Sequence, residues 1–240
     1  MNNVIAIIPA RSGSKGVKDK NIIELHGHSL LEWSIKAAKK TKLIDRVFVS
    51  TDSEKYANIG TKYGAEVPFL RPAEISEDNS SDFSFISHSI EEFQKINIHA
   101  EYLVHLRPTT PIRDPNILDE AISYFQANKT FSSLRSVHLM SESSYKTLEI
   151  NNGTLTPLSF LNSEAFNPNS PRQSYPDTYQ ANGYIDILST NFILKNHEIH
   201  GKKILPFITK TAYEIDTIDD LDYLEYLAKR SKNLIKKLFR

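Results

Sequence analysis

Cysteine is absent from the 240-residue sequence, which excludes a disulfide framework and a thiolate metal site and leaves nothing that implies an oxidising compartment. Net charge is absent too. Lys plus Arg and Asp plus Glu each number 29, so the chain has neither the basic field of a nucleic-acid binder nor the acidic field of a solvating tail. Any charge that matters must be local. No apolar run approaches the roughly 20 residues that span a bilayer, and the opening "MNNVIAIIPAR" lacks the layout of a signal peptide. The expectation is a cytoplasmic protein with no nucleic-acid and no membrane partner. Internal repeats and low-complexity tracts are missing, and none of the eight histidines has metal-ligand spacing; His26 and His28 read as turn residues. What remains is 40% hydrophobic over 240 residues, enough for one substantial core and a single domain over 1–240.

Strand-like and helix-like segments take turns along the chain. Val4 to Ile8 is a short continuous run of mostly branched apolar residues, the pattern of a strand buried on both faces. Ser29 and Glu32 have capping-box spacing, and Leu31, Ile35 and Ala38 fall on one helical face behind them. "RVFVS" (Arg46 to Ser50) reads as a second strand, "SEKYANIGTKYG" as a helix ending at Gly64, and "EVPFL" as a short extended piece. Helices fit Asp82 to Lys95 and about Pro115 to Ala127, either side of a strand at Tyr102 to Leu106, and "FSSLRSV" follows. This alternation predicts an α/β fold: three layers, with a mainly parallel sheet covered by helices on both sides.

The rhythm breaks over 138–180, which is rich in Ser, Asn and Pro and carries "NNG" at Asn151 to Gly153, a hairpin signal. The segment is expected to leave the sheet before "GYIDIL" (Gly183 to Leu188) and "KILPFI" resume it and a helix from near Asp219 closes the fold. It also holds Leu155, Leu158, Phe160, Leu161 and Phe166, an apolar set with no place in a helix-covered sheet, and such sets mark interfaces. The terminal "SKNLIKKLFR" reads as a solvated last helix, with a membrane-surface helix as the alternative.

The densest chemistry lies in "IIPARSGSKGVKDKN", Ile7 to Asn21. In open parallel sheets ligands bind beyond the carboxyl ends of the strands, and the loop after the first strand is a common phosphate site. Gly13 and Gly16 let backbone N–H groups turn inward, while Arg11, Lys15, Lys18 and Lys20 supply charge for a polyanion such as a nucleoside triphosphate. The spacing matches neither GxxxxGK[ST] nor GxGxxG, so composition alone leaves a plain surface turn equally open.

The order of residues says more. "IPARSGSKGVKDKN" resembles the nucleotide-binding signature I-P-A-R-x-x-S-K-G-[LIV]-x-x-K-N of the CMP-sialic acid synthetase (acylneuraminate cytidylyltransferase) family, which includes the CMP-nonulosonic acid synthetases. Arg11, Ser14, Lys15, Gly16, Lys20 and Asn21 are its anchors here. Further blocks follow in that family's order: "VFVSTDS", "RPAEISEDNSSD", "RPTTPIRD", Tyr145 with Lys146, "PRQSYPDTYQANG" and "EIDTIDDL", so the likeness covers nearly the whole chain. It implies a nucleotide-diphosphosugar-transferase (Rossmann-like) fold in which 138–180 is an inserted dimerisation and substrate-capping arm, and hence a homodimer.

The chemistry so implied is attack by the anomeric hydroxyl of a 2-keto-3-deoxy sugar acid on the α-phosphate of CTP, releasing pyrophosphate, with Mg²⁺ as cofactor, for surface glycans such as lipopolysaccharide. Such a transfer needs positioning and charge neutralisation more than a covalent nucleophile. By the resemblance, Arg11 and Lys20 neutralise the triphosphate, and Ala10, Ser14, Lys15, Gly16 and Asn21 belong to the nucleotide site. Arg71 and Ser81 stand where the family reads the pyrimidine. Plainer readings remain open: a solvated lysine for Lys15, a loop arginine for Arg71, a helix cap for Ser81. In "EIDTIDD" the resemblance makes Glu214 and Asp216 the metal ligands, Asp216 also being catalytic, and alternate residues of an extended segment point the same way. Asp219 and Asp220 complement a helix N-terminus.

Two departures touch the sugar side, where Arg107, Thr109, Lys146, Arg172, Tyr184 and Asp186 are the candidates. Relatives carry Q-P-T-S-P where this chain has "RPTTP", placing Arg107 where an amide is usual, and N-G-A-I-Y-I where it has "NGYIDI", with Tyr184 and Asp186 in altered places. Arg107 either binds a carboxylate bidentately or pairs with one such as Asp186. Lys146 and Arg172 match family residues that reach the neighbouring subunit's acidic substrate. The implied activity is a CTP:nonulosonic acid cytidylyltransferase. The alternatives are another sugar acid such as a 3-deoxy-octulosonate, another nucleotide, or a catalytically silent nucleotide-binding partner. Joint retention of Arg11, Lys20 and Asp216 argues against silence.

Overall fold

The computed structural model describes residues 3–14, 16–158 and 170–239. Its first strand, β1 (Val4–Pro9), lies between two cores: Val4, Ala6 and Ile8 enter one, Ile5 and Ile7 the other. A run without polar alternation fits such a place and no other. Two short strands, β2 (Glu24–Leu25) and β3 (His28–Ser29), pair with each other and lead into α1 (Leu30–Lys40). Then come β4 (Arg46–Ser50), α2 (Glu54–Lys62), α3 (Asp82–Lys95), β5 (Tyr102–His105), α4 (Pro115–Ala127) and β6 (Ser133–Leu139). A hairpin of β7 (Leu148–Asn151) and β8 (Thr154–Pro157) precedes β9 (Tyr179–Ser189), α5 (Thr190–Asn196), β10 (Ile204–Ile208), α6 (Ile218–Arg230) and α7 (Lys232–Phe239).

The helix starts follow from single side chains. Ser29 accepts a hydrogen bond from the Glu32 amide, Ser53 from Tyr56, Ser81 from Ser84 and Asp114 from Asn116, each satisfying a donor that the first turn leaves without a partner.

Six strands form the main sheet in the order β10-β6-β9-β5-β1-β4. β1 runs parallel to β4 and β5, and β10 parallel to β6, whereas β9 lies antiparallel between β5 and β6. The sheet is thus mainly parallel, with α1, α4, α6 and α7 contributing to one core and α3 and α5 to the other. The reversal of β9 has no counterpart in the periodicity, because a strand buried on both faces looks the same in either direction.

The irregular segment leaves the sheet as a ribbon. His138 pairs with Gln180 and Leu139 with Tyr179, so those four residues still belong to the β6–β9 ladder and the excursion starts beyond them. At the hairpin tip Asn152 and Gly153 have φ of 50° and 77°, the paired positive values of a type I′ turn. Leu155 is exposed and Leu158 half-buried, while Phe160, Leu161 and Phe166 lie outside the described residues.

The last helix is more than a solvated end. Leu238 is buried, and the Phe239 ring stacks on His28 at 3.6 Å and meets Trp33 edge-on at 4.8 Å, which docks α7 on α1. Lys232 and Lys236 are exposed, whereas Lys237 turns back and donates to Asp114 at 2.6 Å. Among the described residues no helix is long and apolar enough to cross a membrane.

Candidate active site

A cleft of about 340 Å³ opens at the carboxyl ends of β1 and β5, walled by the loop after β1, by the chain from Arg71 to Phe85 and by Arg107 to Thr109. The loop is fixed from both sides. The Ala10 amide donates to the Ser50 carbonyl at 2.9 Å, extending the β1–β4 ladder by one bond. The Ser12 amide and hydroxyl then both donate to the Asp52 carboxylate, at 2.7 and 2.6 Å, and the Asn21 side chain donates to the Arg11 carbonyl at 2.9 Å. Gly13 takes a φ of 72°, and a Cβ on Gly16 would lie 3.1 Å from the Asp216 carbonyl oxygen. Glycine is what lets the loop turn and lets the two segments meet.

Among the described residues, four cations line this one cleft: Arg11, Lys20, Arg71 and Arg107. Arg11 donates to Asp78 at 2.6 Å, Lys20 to Asp216 at 2.9 Å, and Arg107 to Asp186 at 2.9 Å and to Asp82 at 2.5 Å. Arg71 is buried. It donates to the hydroxyl and carbonyl of Ser50 at 3.1 and 2.8 Å and lies 4.8 Å over the Phe85 ring. Burial pulls its guanidinium down to about 10, with nearby Asp52 opposing, so it stays charged at neutral pH. A cleft with this much positive charge holds itself together with its own carboxylates, of which Asp78, Asp82 and Asp216 are partly exposed and within reach of displacement by an anion, whereas Asp186 is buried.

Glu214 and Asp216 sit at the margin of the cleft. Between them Ile215 is buried and its amide donates to the Thr109 carbonyl at 2.9 Å, while both flanking acids are exposed. Glu214 accepts from the Thr109 hydroxyl at 2.6 Å and Asp216 from Lys20. Asp220 serves as a cap, its carboxylate accepting from the amides of Asp216 and Thr217, and Thr217 caps α6 in return. Among the described residues no three acidic or histidine side chains converge on one point. Two hard oxygen donors beside a cationic cleft suit Mg²⁺ completed by a ligand's oxygens and water, which is how that ion is usually held, and do not make an all-protein cage.

The residues expected on the sugar side rest on a β-bulge. Arg135 of β6 stands opposite Asp186 of β9, but Val137 stands opposite Ala181, and the surplus residues of β9 include Gly183 at a φ of 63°. Arg113, wholly buried, satisfies the carbonyls this leaves behind. Its guanidinium donates to Tyr184 O at 2.6 Å, Gly183 O at 2.9 Å, Arg107 O at 2.8 Å and Ser34 Oγ at 3.2 Å. Burial pulls it down to about 9. Tyr184 is also buried. Its hydroxyl accepts from the Asp114 amide at 2.7 Å at the start of α4, burial pushes it up to about 12, and it does not line the cleft. The structure therefore gives Tyr184 a place in the scaffold in contrast to the sugar-side place expected of it. Asp186 is buried and touches the cleft through Arg107, so the two departures on the sugar side are one ion pair.

Ser14, Gly16, Asn21, Ser81 and Thr109 line the cleft as well, and Ser81 does so while capping α3. Ala10 is buried beneath it, and Lys15 lies outside the described residues. Lys146 and Arg172 are not brought to it; Arg172 donates to the Met140 carbonyl at 2.9 Å, and Tyr145 stacks on Tyr175 at 5.7 Å across the base of the arm. Sequence reasoning misses Asp52, Asp78, Asp82 and Arg113 as site residues. An acid directly after a strand end signals Asp52, but nothing in the spacing marks Arg113.

Residues 5–235 match the family model described as cytidylyltransferase. An N-acylneuraminate cytidylyltransferase of Escherichia coli is 32% identical over 96% of this chain and 53% of its own length, so the chain spans about half of that relative. A post-translational flagellin modification protein B of Campylobacter coli is 32% identical over the whole of both chains. A CMP-N,N'-diacetyllegionaminic acid synthase of Campylobacter jejuni is 31% identical, again over both in full. Among solved structures, CMP:2-keto-3-deoxy-manno-octonic acid synthetase complexed with CTP superposes with a TM-score of 0.73 over 95% of this chain and 99% of that one, at 12% identity. That likeness is one of fold.

Proposed function

The chain belongs to the cytidylyltransferase family, and from that premise we propose that it transfers CMP from CTP to the anomeric hydroxyl of a sialic-acid-like 2-keto-3-deoxy sugar acid, a nonulosonic acid, for surface glycans. The observation that carries this reading is the convergence of Arg11, Lys20, Arg71 and Arg107 on one cleft at the ends of β1 and β5. Relatives matched over their full length are named for acidic nine-carbon sugars or flagellin modification, whereas the octonic acid enzyme is similar in fold at 12% identity, so a nonulosonic acid is favoured over an octulosonate.

On this reading the protein acts by placement and charge. The triphosphate takes Arg11 and Lys20 from Asp78 and Asp216, and the neutralised α-phosphate accepts the anomeric oxygen in line as pyrophosphate leaves. Arg71 and Ser81 face the pyrimidine. Glu214 and Asp216 would hold Mg²⁺, which when bound supplies further neutralisation of the phosphates. Exposed Leu148, Ile150 and Leu155 on the arm, with exposed Leu139 and Tyr179 where it leaves the sheet, support a homodimer, and on this reading Lys146 and Arg172 reach the neighbour's substrate. Consumption of CTP, an intracellular nucleotide, is the ground for placing this activity in the cytoplasm.

The test is pyrophosphate release across a matrix of four nucleoside triphosphates and several sugar acids. CTP with a nonulosonic acid should give the highest rate, and release with every sugar acid absent, or with an octulosonate alone, would refute the assignment. Within the cleft, Arg11→Ala and Lys20→Ala should each lower kcat/KM by roughly 10²-fold, about 2.7 kcal/mol, with thermal unfolding little changed because both side chains sit in the open cleft. Steady-state kinetics at saturating CTP checks this. Near-normal turnover in both variants would remove the loop from phosphate chemistry.

A further inference from the structure

Arg107 is held by two carboxylates of unequal standing. Its Nη1 donates to Asp186 at 2.9 Å and its Nη2 to Asp82 at 2.5 Å. The Asp186 side chain is 2% exposed and that of Asp82 42%. A second cation stands behind Asp186, with Arg135 Nε 3.7 Å from its other oxygen. Arg113 in turn grips the Arg107 carbonyl at 2.8 Å, so the arginine is fixed at its backbone as well as at its tip.

The consequence is asymmetric. Parting Arg107 from Asp186 would leave a charge buried without its partner, which is expensive, whereas parting it from Asp82 leaves a carboxylate that water can solvate. Arg107 and Asp82 both line the cleft, and Asp186 does not. One edge of the guanidinium is therefore permanently occupied and the other is exchangeable. What would take the exchangeable edge is set by charge and shape. A planar carboxylate reproduces the contact Asp82 now makes, while a phosphate would bring more negative charge up against buried Asp186. The phosphate-facing cations, Arg11 and Lys20, have no such buried anion as their partner.

We propose that Arg107 selects the acidic sugar by carboxylate exchange: the substrate carboxylate displaces Asp82 from Nη2, while Asp186 acts as the positioning residue that keeps Nη1. This rests on the function proposed above and names the group on the sugar that the site recognises. It makes the paired appearance of Arg107 and Asp186 a specificity device, with Asp82 as the placeholder that the substrate carboxylate replaces.

The experiment compares a nonulosonic acid, N-acetylneuraminic acid as the probe, with its methyl ester. Binding is read by thermal shift and turnover by pyrophosphate release with CTP. Wild-type protein should prefer the acid by roughly 10- to 100-fold. Arg107→Gln should bring that ratio near one while KM for CTP moves by less than about 3-fold. Because Arg107→Gln strands Asp186, the double variant Arg107→Gln/Asp186→Asn repeats the test without a buried lone charge, and the acid-to-ester ratio does not depend on how much protein is folded. Asp82→Asn should tighten the acid by about 2- to 5-fold, the size of an exposed ion pair, and leave the ester unchanged.

Turnover of acid and ester alike by the wild type, or a ratio that survives in both Arg107 variants, would overturn the proposal. Asp82→Asn weakening the acid as much as Arg107→Gln would overturn the exchange. If no pyrophosphate is released but the acid binds and loses its preference in Arg107→Gln, the recognition stands and the catalytic reading falls. Absence of both binding and turnover across nonulosonic acids would sink both.

Discussion

Asp216→Asn should lower kcat/KM by roughly 10³-fold, about 4 kcal/mol, and leave a cooperative thermal transition in place. The side chain is 71% exposed and its partner in the structure is Lys20, so nothing in the fold depends on the charge. Size of effect separates the two readings. If Asp216 does no more than pair with Lys20, its loss resembles that of an exposed ion pair, worth about 1 kcal/mol or less. If it holds Mg²⁺ against the phosphates, the loss is several times larger and raising the Mg²⁺ concentration rescues it poorly. Glu214→Gln should be milder, because the amide oxygen can still accept from the Thr109 hydroxyl that lies 2.6 Å from the carboxylate. Wild-type activity should disappear in excess EDTA and return with Mg²⁺. Full turnover in EDTA, or a loss of about 10-fold or less in Asp216→Asn, would leave Asp216 as a plain counter-ion.

Arg113→Met should cost about 3–5 kcal/mol of stability, a large share of the roughly 5–15 kcal/mol that holds a domain folded. The substitution keeps the volume of the stem but strands the carbonyls of Gly183, Tyr184 and Arg107 in a place water does not reach. Arg113→Lys should recover little, since one ammonium cannot serve carbonyls spread around a planar fork. Urea unfolding followed by circular dichroism is the measurement: the midpoint should fall with the slope unchanged. Because Arg113 also fixes the Arg107 backbone, KM for the sugar acid should rise more than KM for CTP in any folded variant. A loss under about 1 kcal/mol would mean that the bulge finds other donors.

The parts of the fold that were legible in the sequence are those decided locally. Ser29, Ser53, Ser81 and Asp114 start their helices by a bond two or three residues long, so their spacing to the first turn is sufficient information. The I′ turn at Asn152 and Gly153 is equally local. What could not be read depends on residues far apart in the chain. The direction of β9 is fixed by its neighbours β5 and β6, and Phe239 finds His28 and Trp33 from the other end of the sequence.

The same division runs through the site. The loop from Ala10 to Asn21 is a contiguous stretch with a recognisable order, and the structure places its described part against a cleft. Arg107 and Asp186 stand out singly as departures from a pattern, but their partnership emerges only once β5 and β9 lie side by side with His105 opposite Asp186. Tyr184 shows the limit of reading by position. It stands two residues before Asp186, yet the bulge at Gly183 directs its hydroxyl to the start of α4 and away from the cleft. Arg113 lies within the block "RPTTPIRD", but its role carries no signal, because a buried arginine that satisfies carbonyls looks in sequence like any arginine before a helix.

On the proposed function the anomeric oxygen of an acidic sugar attacks the α-phosphorus of CTP. ³¹P NMR of CTP, Mg²⁺, a nonulosonic acid and the enzyme follows that bond directly. The α, β and γ signals of CTP should fall together and be replaced by one phosphodiester and pyrophosphate in equal amounts, dependent on the sugar acid. Formation of CDP and inorganic phosphate, or CTP left intact beside every nonulosonic acid supplied, would contradict it.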